Sequence, residues 1–377
     1  MNAPIAITVP QADPGAGYRA QKAEIDAAVA RALASGWYIL GKEGEAFERE
    51  YAAWQGAARA VGCANGTDAL ALAMRGLGIG PGATVVTVSH TAVATVAAIE
   101  MVGATPLLLD IDPDTYTMDP DELASVLADP PPGLPPIRAV IPVHLYGQAC
   151  DLAPMLEAAA AHGVAVIEDC SQAHGATYGG RKVGNHGRVA CYSLYPTKNL
   201  GALGDGGVLT TDDAALADEI GAIRQYGWKE RYISAGVGVN SRLDELQAAI
   251  LRVKLTALDA GIARRQAIAA AYDAALAGTP FSPPARRGDG LHVFHQYVVR
   301  VPDRAAVMAR LRAEGIATAI HYPQPVHLQP AYRGRVALGP AGCAETARAA
   351  GEVMSLPMFP ELTDGQVEQV CEALRRL

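Results

Sequence analysis

The chain has 377 residues and half of them are hydrophobic, which is enough to bury the core of one large α/β domain and a smaller one. Its 31 basic and 39 acidic side chains give a formal net charge of −8 and form no basic stripe, which excludes a nucleic-acid partner. Polar residues interrupt the apolar stretch 83–109, so no membrane span is expected. Six scattered cysteines and no secretory leader predict reduced thiols in a cytoplasmic protein.

Short β-rich runs alternate with helical patterns through the first two thirds of the chain, which predicts an α/β fold with a mostly parallel sheet. The last two of these strands are separated by 195–206 alone, too little for a crossover helix, so that pair is predicted to be antiparallel or irregular. The predicted strands are 84–88, 105–110, 138–144, 164–168, 189–194 and 207–211, and the predicted helices between them are 68–76, 92–102, 120–127 and 152–162.

The pattern changes beyond Ser241, where Ser-x-x-Asp predicts the cap of a long helix that leads towards a second domain. A strand at 293–301 and helices at 304–314 and 364–375 follow. We therefore expect a large domain at 1–253 and a smaller C-terminal α/β domain at 254–377.

The most informative segment is CYSLYPTKNLGALGDGG, residues 191–207, in which a predicted strand runs into a glycine-rich loop with one lysine. Glycines let the backbone bend sharply and approach a ligand closely, while the strand presents an amine at a sheet edge. A lysine beside glycines is usually a solvated surface residue, so Lys198 becomes a candidate nucleophile only through its neighbours.

A second segment, EDCSQAHGA at 168–176, places Asp169 at the C-terminal end of an apolar strand, where open α/β sheets bind ligands. A carboxylate there keeps a pyridine nitrogen protonated and so strengthens a cofactor as an electron sink. The alternative reading is that Asp169 caps a turn. Glu168 should point the other way and is interpreted as structural.

A third segment, CANGTDAL at 63–70, places Gly66 and Thr67 at the start of a helix. Free backbone donors there favour a phosphate group, and glycine lets it come close. The same letters also fit an ordinary turn and helix cap. Ser193 offers a hydroxyl near the lysine for the same phosphate.

Together these segments resemble the sugar aminotransferases of the DegT/DnrJ/EryC1/StrS family. The resemblance covers nearly the whole chain, because GWYILGKEGEAFEREY (36–51), TVSHTAVAT (87–95), VGVNSRLDELQAAIL (237–251) and IHYPQPVHLQPAY (320–332) follow in the family's order. It implies the pyridoxal-phosphate-dependent transferase fold of type I. In that fold a mostly parallel seven-stranded sheet is flanked by helices, and a smaller C-terminal α/β domain follows.

The resemblance also implies roles for single residues. Lys198 would carry pyridoxal phosphate and act as the base that transfers protons, and Asp169 would pair with the pyridine nitrogen. His90 would stack on the ring and Gln172 would lie near its hydroxyl. The site would be shared within a homodimer, since the phosphate ligands implied are Gly66, Thr67, Ser193 and, from the neighbouring subunit, Asn240.

Lysine at position 198 favours transamination, because the family members that remove a hydroxyl resemble this pattern with histidine there. The implied reaction moves an amino group from an amino acid, by analogy glutamate, to a nucleotide-linked ketosugar. The segments around His90, 225–232 and 321–332 look most like members acting on a dTDP-linked 3-keto-6-deoxyhexose. His321 and Tyr322 would reach that sugar, or they pack a domain junction.

Three alternatives stay open at this point. A 4-keto nucleotide sugar or a ketocyclitol is handled on the same scaffold. A non-catalytic, cofactor-binding regulator would keep the fold without turnover. No catalytic metal is expected, since the histidines show no metal-ligand spacing.

Overall fold

The structure is a computed structural model that describes residues 6–283 and 285–377. No helix in these ranges is both long and apolar enough to cross a membrane. The α-helices are α1 (Pro14–Ala20), α2 (Lys22–Ala34), α3 (Lys42–Gln55), α4 (Gly66–Gly76), α5 (Val93–Met101), α6 (Pro120–Ala128), α7 (Leu152–Ala161), α8 (Ala214–Ile223), α9 (Glu245–Leu255), α10 (Leu258–Leu276), α11 (Arg304–Ala313), α12 (Ala344–Glu352) and α13 (Asp364–Arg375).

The strands divide into one large sheet and three two-stranded ribbons among the described residues. They are β1 (Arg59–Cys63), β2 (Thr84–Val88), β3 (Thr105–Leu109), β4 (Ile137–Val140), β5 (Ala165–Asp169), β6 (Thr177–Tyr178), β7 (Arg181–Lys182), β8 (Val189–Ser193), β9 (Gly207–Thr211), β10 (Trp228–Glu230), β11 (Ile233–Ser234), β12 (Tyr297–Arg300), β13 (Ala337–Leu338) and β14 (Val353–Leu356).

The large sheet has the strand order β1-β9-β8-β5-β4-β2-β3-β13. Strand β9 is antiparallel to both β1 and β8, and the remaining pairs are parallel. The mostly parallel sheet and the antiparallel pair around the lysine loop are therefore confirmed. The sheet has eight strands where seven were expected, because Ala337–Leu338 adds a two-residue strand that is too short to leave a pattern in the sequence.

The expected helix start at Ser241 is wrong. Helix α9 begins at Glu245, and Asp244 is its N-cap residue. The Asp244 side chain makes no capping hydrogen bond. The Ser241 hydroxyl instead donates to the Asp68 carboxylate at 2.7 Å and accepts the Ala64 N–H at 3.1 Å. A contact with a segment remote in sequence therefore replaces the local cap.

Separate clusters of buried apolar side chains support the sheet and the C-terminal part of the chain. The sheet's strands pack against α4 on one face, around residues such as Leu70, Leu72 and Ile167. The C-terminal cluster is built mainly from residues 268–374, and Val9 from the N-terminal segment joins it. The domain division at residue 253 stays a prediction. All six cysteines are buried and free.

Candidate active site

Strands β5 and β8 bring the two strongest candidates to one edge of the sheet. The strands are parallel neighbours, and their register pairs Asp169 with Cys191, so both end on the same side. Asp169 is the last residue of β5, and Lys198 lies in the loop that follows β8. This edge, beyond the carboxyl ends of the strands, is where open α/β sheets bind ligands.

The loop that holds Lys198 is closed by its own backbone. The Leu194 N–H donates to the Gly206 carbonyl at 2.8 Å, and the Lys198 N–H donates to the Tyr195 carbonyl at 2.8 Å. Burial lowers the pKa of the Lys198 amine to about 8, while the negative charge of Asp169 acts in the opposite direction. Because this pKa is lower than that of an ordinary lysine, a larger fraction of the amine is neutral near pH 8. Only the neutral amine can act as a nucleophile or a base.

Asp169 is buried, with 4% of its surface exposed. One carboxylate oxygen accepts the Thr95 hydroxyl at 2.9 Å, and the other accepts the Ser171 N–H at 3.1 Å. The Thr95 hydroxyl also lies 3.1 Å from the Thr91 hydroxyl. These contacts hold the Asp169 carboxylate in one position at the edge of the sheet.

The start of α4 lies against the end of β8. A Cβ atom added to Gly66 would stand 2.7 Å from the Ser193 Cβ, so only glycine permits this approach. Asn65 caps the helix by accepting the Asp68 N–H at 2.8 Å. Gly66 and Thr67 are the first two residues of α4, and N–H groups at that position have no acceptor within the helix. The structure thus gathers the candidates Gly66, Thr67 and Ser193 into a cradle suited to a phosphate.

Gln172 and Tyr322 meet on another side of the site. The Gln172 amide donates to the Tyr322 hydroxyl at 3.0 Å, and its carbonyl oxygen accepts the Tyr146 N–H at 2.8 Å. Burial raises the pKa of Tyr322 to about 12, so its phenol stays protonated. A residue of the C-terminal part therefore hydrogen-bonds directly to a candidate cofactor ligand.

His90 is buried and lies 2.9 Å, through Nε2, from the Tyr146 hydroxyl. That hydroxyl donates to the backbone carbonyl of His321. Burial, assisted by Arg300, lowers the pKa of His90 to about 4, so the ring is neutral. Its stacking on the cofactor stays a prediction, since the ring packs here beside Tyr146 and Tyr116, with centroids 6.0 Å and 6.2 Å away.

His321 also belongs to this neighbourhood. Its Nδ1 lies 2.8 Å from the Ser355 hydroxyl. Burial, together with the positive charge of Lys198, lowers the pKa of its ring to about 4. His321 is thus a neutral imidazole that lies close enough to Lys198 for the charge of that amine to affect its pKa.

Asn240 is the one candidate that the structure does not bring to the others. It is exposed, and its backbone pairs with that of Gln225. An exposed position leaves its side chain free for a neighbouring subunit, which is the role that the family resemblance implies.

The sequence did not single out Thr95, Tyr146 or His295 as members of the site. Thr95 lies within the segment quoted for the family, but its bond to Asp169 spans 74 positions. Tyr146 has a positive φ of 59°, which nothing in the local sequence signals. His295 is buried, and burial and then the charge of Lys198 lower its pKa well below the ordinary value.

Residues 19–375 match the model of the DegT/DnrJ/EryC1/StrS aminotransferase family. The chain belongs to this family. It is 44% identical over 369 residues to the dTDP-3-amino-3,4,6-trideoxy-alpha-D-glucose transaminase of Streptomyces venezuelae, covering 97% of this chain and 95% of that one. The family match and the transaminase relatives make this protein an enzyme, a sugar aminotransferase.

Solved structures of the family give the same fold. Streptomyces venezuelae DesV, in complex with a ketimine intermediate, superimposes with a TM-score of 0.92 at 43% identity over 98% of each chain. NtdA from Bacillus subtilis, with bound cofactor PMP, gives a TM-score of 0.85 at 27% identity over 95% of this chain and 82% of that one. The expected fold type and the pyridoxal phosphate cofactor are confirmed.

The residues of this aminotransferase fit that cofactor. The cradle of Gly66, Thr67 and Ser193, called the Gly66 cradle below, suits the phosphate. The buried Asp169 carboxylate suits the pyridine nitrogen, and the Lys198 amine suits the aldehyde. When bound, pyridoxal phosphate supplies a ring that withdraws electrons from the substrate carbon next to it. The chain's own residues then have to hold the ring and move the protons.

Glu168 has a structural role in this aminotransferase, as expected. One carboxylate oxygen accepts the Gly184 N–H at 2.6 Å and faces His144 Nε2 at 3.1 Å, while the other accepts the His186 and Gly187 N–H groups at 2.8 Å and 2.7 Å. Glu168, His144 and Cys170 stand close enough to ligate a metal. The Glu168 carboxylate already accepts the N–H groups of Gly184, His186 and Gly187. The absence of a catalytic metal stays a prediction.

Glu168→Gln is expected to destabilise the fold by about 3 kcal/mol, because the new amide would face N–H donors in a buried place. Burial raises the pKa of Glu168, yet the hydrogen bonds from His144 and the Gly187 N–H outweigh it and keep the group ionised. Urea denaturation measures the change, with the exposed Glu157→Gln as the control. A loss no larger than that of the control would contradict the structural role.

The pKa of Lys198 predicts how apoprotein captures its cofactor. Because a lowered pKa frees the amine at lower pH, the rate of covalent capture should rise with a midpoint near pH 8. Asp169→Asn removes a charge that raises this pKa, so the midpoint should fall below that of the wild type. Stopped-flow absorbance across a pH series measures both. A midpoint near that of an ordinary lysine would refute the burial of the amine.

Proposed function

We propose that this aminotransferase moves the amino group of L-glutamate to C3 of a dTDP-linked 3-keto-6-deoxyhexose, giving a dTDP-3-amino-3,6-dideoxyhexose. The observation that carries the reaction is the Lys198 amine, with a pKa of about 8, beside the buried Asp169 carboxylate. The dTDP-3-amino sugar in the name of the Streptomyces venezuelae transaminase supports the dTDP-linked substrate and the 3-amino product.

The site supplies the proton transfers that two half-reactions need. Lys198 Nζ removes the proton from the α-carbon of the amino donor, and later delivers one to the sugar carbon that receives nitrogen. Asp169 would pair with the pyridine nitrogen and favour its protonated form. Gln172, which donates to the Tyr322 hydroxyl, would lie near the ring hydroxyl.

Neutral polar groups surround this centre on the side of the C-terminal part. Tyr322 keeps its phenol proton and His321 is uncharged, since burial raises the pKa of the first to about 12 and lowers that of the second to about 4. Sugar hydroxyls are matched by such uncharged donors and acceptors. We propose that His321 and Tyr322 contact the sugar.

The amination position is tested with a substrate panel. The holoenzyme and glutamate are incubated with a dTDP-3-keto-6-deoxyhexose, a dTDP-4-keto-6-deoxyhexose and a ketocyclitol, and the products are identified by NMR. We expect an amino group at C3 and a kcat/KM at least about a hundredfold above the other two substrates. Preferred amination at C4 or of the cyclitol would establish the corresponding alternative.

We also propose that the enzyme is a homodimer with shared active sites. A groove of about 740 Å³ near Asn240 is lined by aromatic side chains from two distant segments. Exposed apolar surface of this extent is typical of an interaction site. Trp37, Tyr38, Ile39 and Tyr232 are exposed and line the groove, and the same part of the chain also exposes Tyr226, Ile233 and Val237.

Subunit mixing tests the shared site. Lys198→Ala and Asn240→Asp are each expected to be inactive, the second because its charge repels the cofactor phosphate. After random exchange between them, about one quarter of the wild-type activity should return, because half the dimers are mixed and each has one intact site. Mixing Lys198→Ala with Asp169→Asn, two residues of the same site, should restore none. No recovery in the first mixture, with exchange verified by mass spectrometry, would contradict sharing.

A further inference from the structure

Tyr146 is a buried tyrosine that the proposed reaction does not yet use. Its backbone has a φ of 59° and a ψ of −2°, a left-handed conformation that L side chains rarely adopt. Gly147 follows with a φ of 106°, and a Cβ atom there would stand 2.9 Å from the backbone nitrogen of Phe294. The turn 145–147 therefore lies tightly against the segment 293–296. A residue held in such a conformation by its surroundings is a candidate for a functional role.

Tyr146 takes part in a closed circuit of hydrogen bonds. Its N–H donates to the side-chain carbonyl oxygen of Gln172 at 2.8 Å, and the Gln172 amide donates to the Tyr322 hydroxyl at 3.0 Å. The Tyr146 hydroxyl donates to the backbone carbonyl of His321, the residue before Tyr322, and so closes the circuit. The Tyr146 carbonyl accepts the Gln296 N–H at 3.2 Å. Tyr146 is thus held at its N–H, its carbonyl and its hydroxyl.

The Tyr146 hydroxyl determines which nitrogen of His90 carries the hydrogen. Burial raises the pKa of Tyr146 well above its ordinary value, so the hydroxyl keeps its one proton. A carbonyl can only accept, so this proton is directed to His321. The Tyr146 oxygen, 2.9 Å from His90 Nε2, must then accept a hydrogen bond from that nitrogen. Because the His90 ring is neutral, it carries its hydrogen on Nε2 and none on Nδ1.

The same bond sets the plane of the His90 ring. A hydrogen bond from Nε2 lies in the plane of the imidazole, so the ring cannot turn about its Cβ–Cγ bond without breaking it. The ring of Tyr116 packs beside His90, with centroids 6.2 Å apart, and limits the same rotation. A flat side chain that lies against a cofactor ring needs a locked rotamer of this kind. Tyr146 therefore acts on His90 through one directed bond.

The hydroxyl distinguishes this role from packing alone. The Tyr146 ring belongs to an apolar cluster that includes Tyr116 and Leu145, and phenylalanine would fill the same space. A buried hydroxyl needs partners, and its two partners here, His90 and the segment 321–322, are both candidates of the active site. Removing the hydroxyl while keeping the ring therefore separates the two roles.

We propose that Tyr146 is a positioning residue, whose hydroxyl sets the plane of His90 on the cofactor side and holds the segment 321–322 on the sugar side. The first part rests on the predicted stacking of His90, and the second rests on the proposed function. Without the hydroxyl, two buried groups lose their partner, the His90 Nε2–H and the His321 carbonyl. The two half-reactions should respond unequally, because only one of them uses the sugar.

The hydrogen on His90 is tested without turnover by NMR of the holoenzyme labelled with 15N-histidine. The His90 signals, identified by their absence from His90→Phe, should show the hydrogen on Nε2. They should shift in Tyr146→Phe and stay in place in Tyr116→Phe, whose ring packs against both His90 and Tyr146. Hydrogen on Nδ1 in the wild type, or signals that do not respond to the loss of the Tyr146 hydroxyl, would overturn the proposal.

Single-turnover kinetics then separate the cofactor side from the sugar side. Tyr146→Phe should raise the half-saturating concentration of the dTDP-3-keto-6-deoxyhexose about tenfold and that of glutamate less than about threefold, because the His321 carbonyl bond supports only the sugar side. Tyr116→Phe should match the wild type in both half-reactions. Equal losses in both half-reactions of Tyr146→Phe would overturn the role on the sugar side. If the wild type aminates no ketosugar, the proposed function fails, and the NMR result alone decides the role of Tyr146.

Discussion

Replacing Lys198 with alanine is expected to reduce transamination by about 10⁴-fold or more, because both the nucleophile and the proton-transfer base are lost. The fold should persist, since the loop is closed by backbone bonds that do not use the Lys198 side chain. The cofactor should still bind through the Gly66 cradle and Asp169, but without a covalent bond. Borohydride reduction followed by peptide mapping measures the linkage in the wild type and the variant.

Lys182→Ala is the matched control for this experiment, because the pKa of that amine is also lowered by burial although it lies at the surface ribbon β6-β7. This variant should be labelled at Lys198 as the wild type is. If peptide mapping of the reduced wild type shows the cofactor on any other lysine, the assignment of Lys198 is wrong.

Asp169→Asn is expected to slow turnover by about 10³-fold while the protein still holds its cofactor. Asparagine can accept the Ser171 N–H through its oxygen, and its NH2 group can donate to the Thr95 hydroxyl, which then donates to Thr91, so packing is preserved. What disappears is the negative charge beside the pyridine nitrogen. Single-turnover kinetics with glutamate should show the defect in the proton-transfer step, with little change in the Kd of glutamate.

Thr95→Val provides the comparison for this variant, since it removes one hydrogen bond to Asp169 but keeps the charge. Its effect should stay below about tenfold. Near-normal turnover in Asp169→Asn would refute the role of the carboxylate. Equal defects in both variants would show that turnover depends on how Thr95 positions the Asp169 side chain and not on its negative charge.

Local signals explain what the sequence predicted well. Helix α13 has the predicted bounds 364–375, because Thr363 and Gln366 form a capping box within four residues. Helix α6 begins at Pro120, where Asp119 accepts the first free N–H groups. The motifs that single out Lys198 and Asp169 also span a few consecutive positions each, and the roles of both residues stay predictions.

Contacts between distant segments explain what the sequence missed. Ser241 looks like a helix cap, but Asp68 and Ala64 take its hydroxyl. Strand β13 pairs with β3, which lies far from it in the sequence. The link from His90 through Tyr146 to His321 joins three segments, and no one of them signals it.

We expect this family member to carry amino groups on a cofactor held by Lys198, and one absorbance experiment tests this most directly. The holoenzyme is mixed with L-glutamate and afterwards with the dTDP-3-keto-6-deoxyhexose. We expect glutamate to convert the spectrum of the bound cofactor to that of its aminated form, and the ketosugar to restore the original spectrum. A cofactor spectrum that stays unchanged with glutamate and every other amino donor would contradict the account.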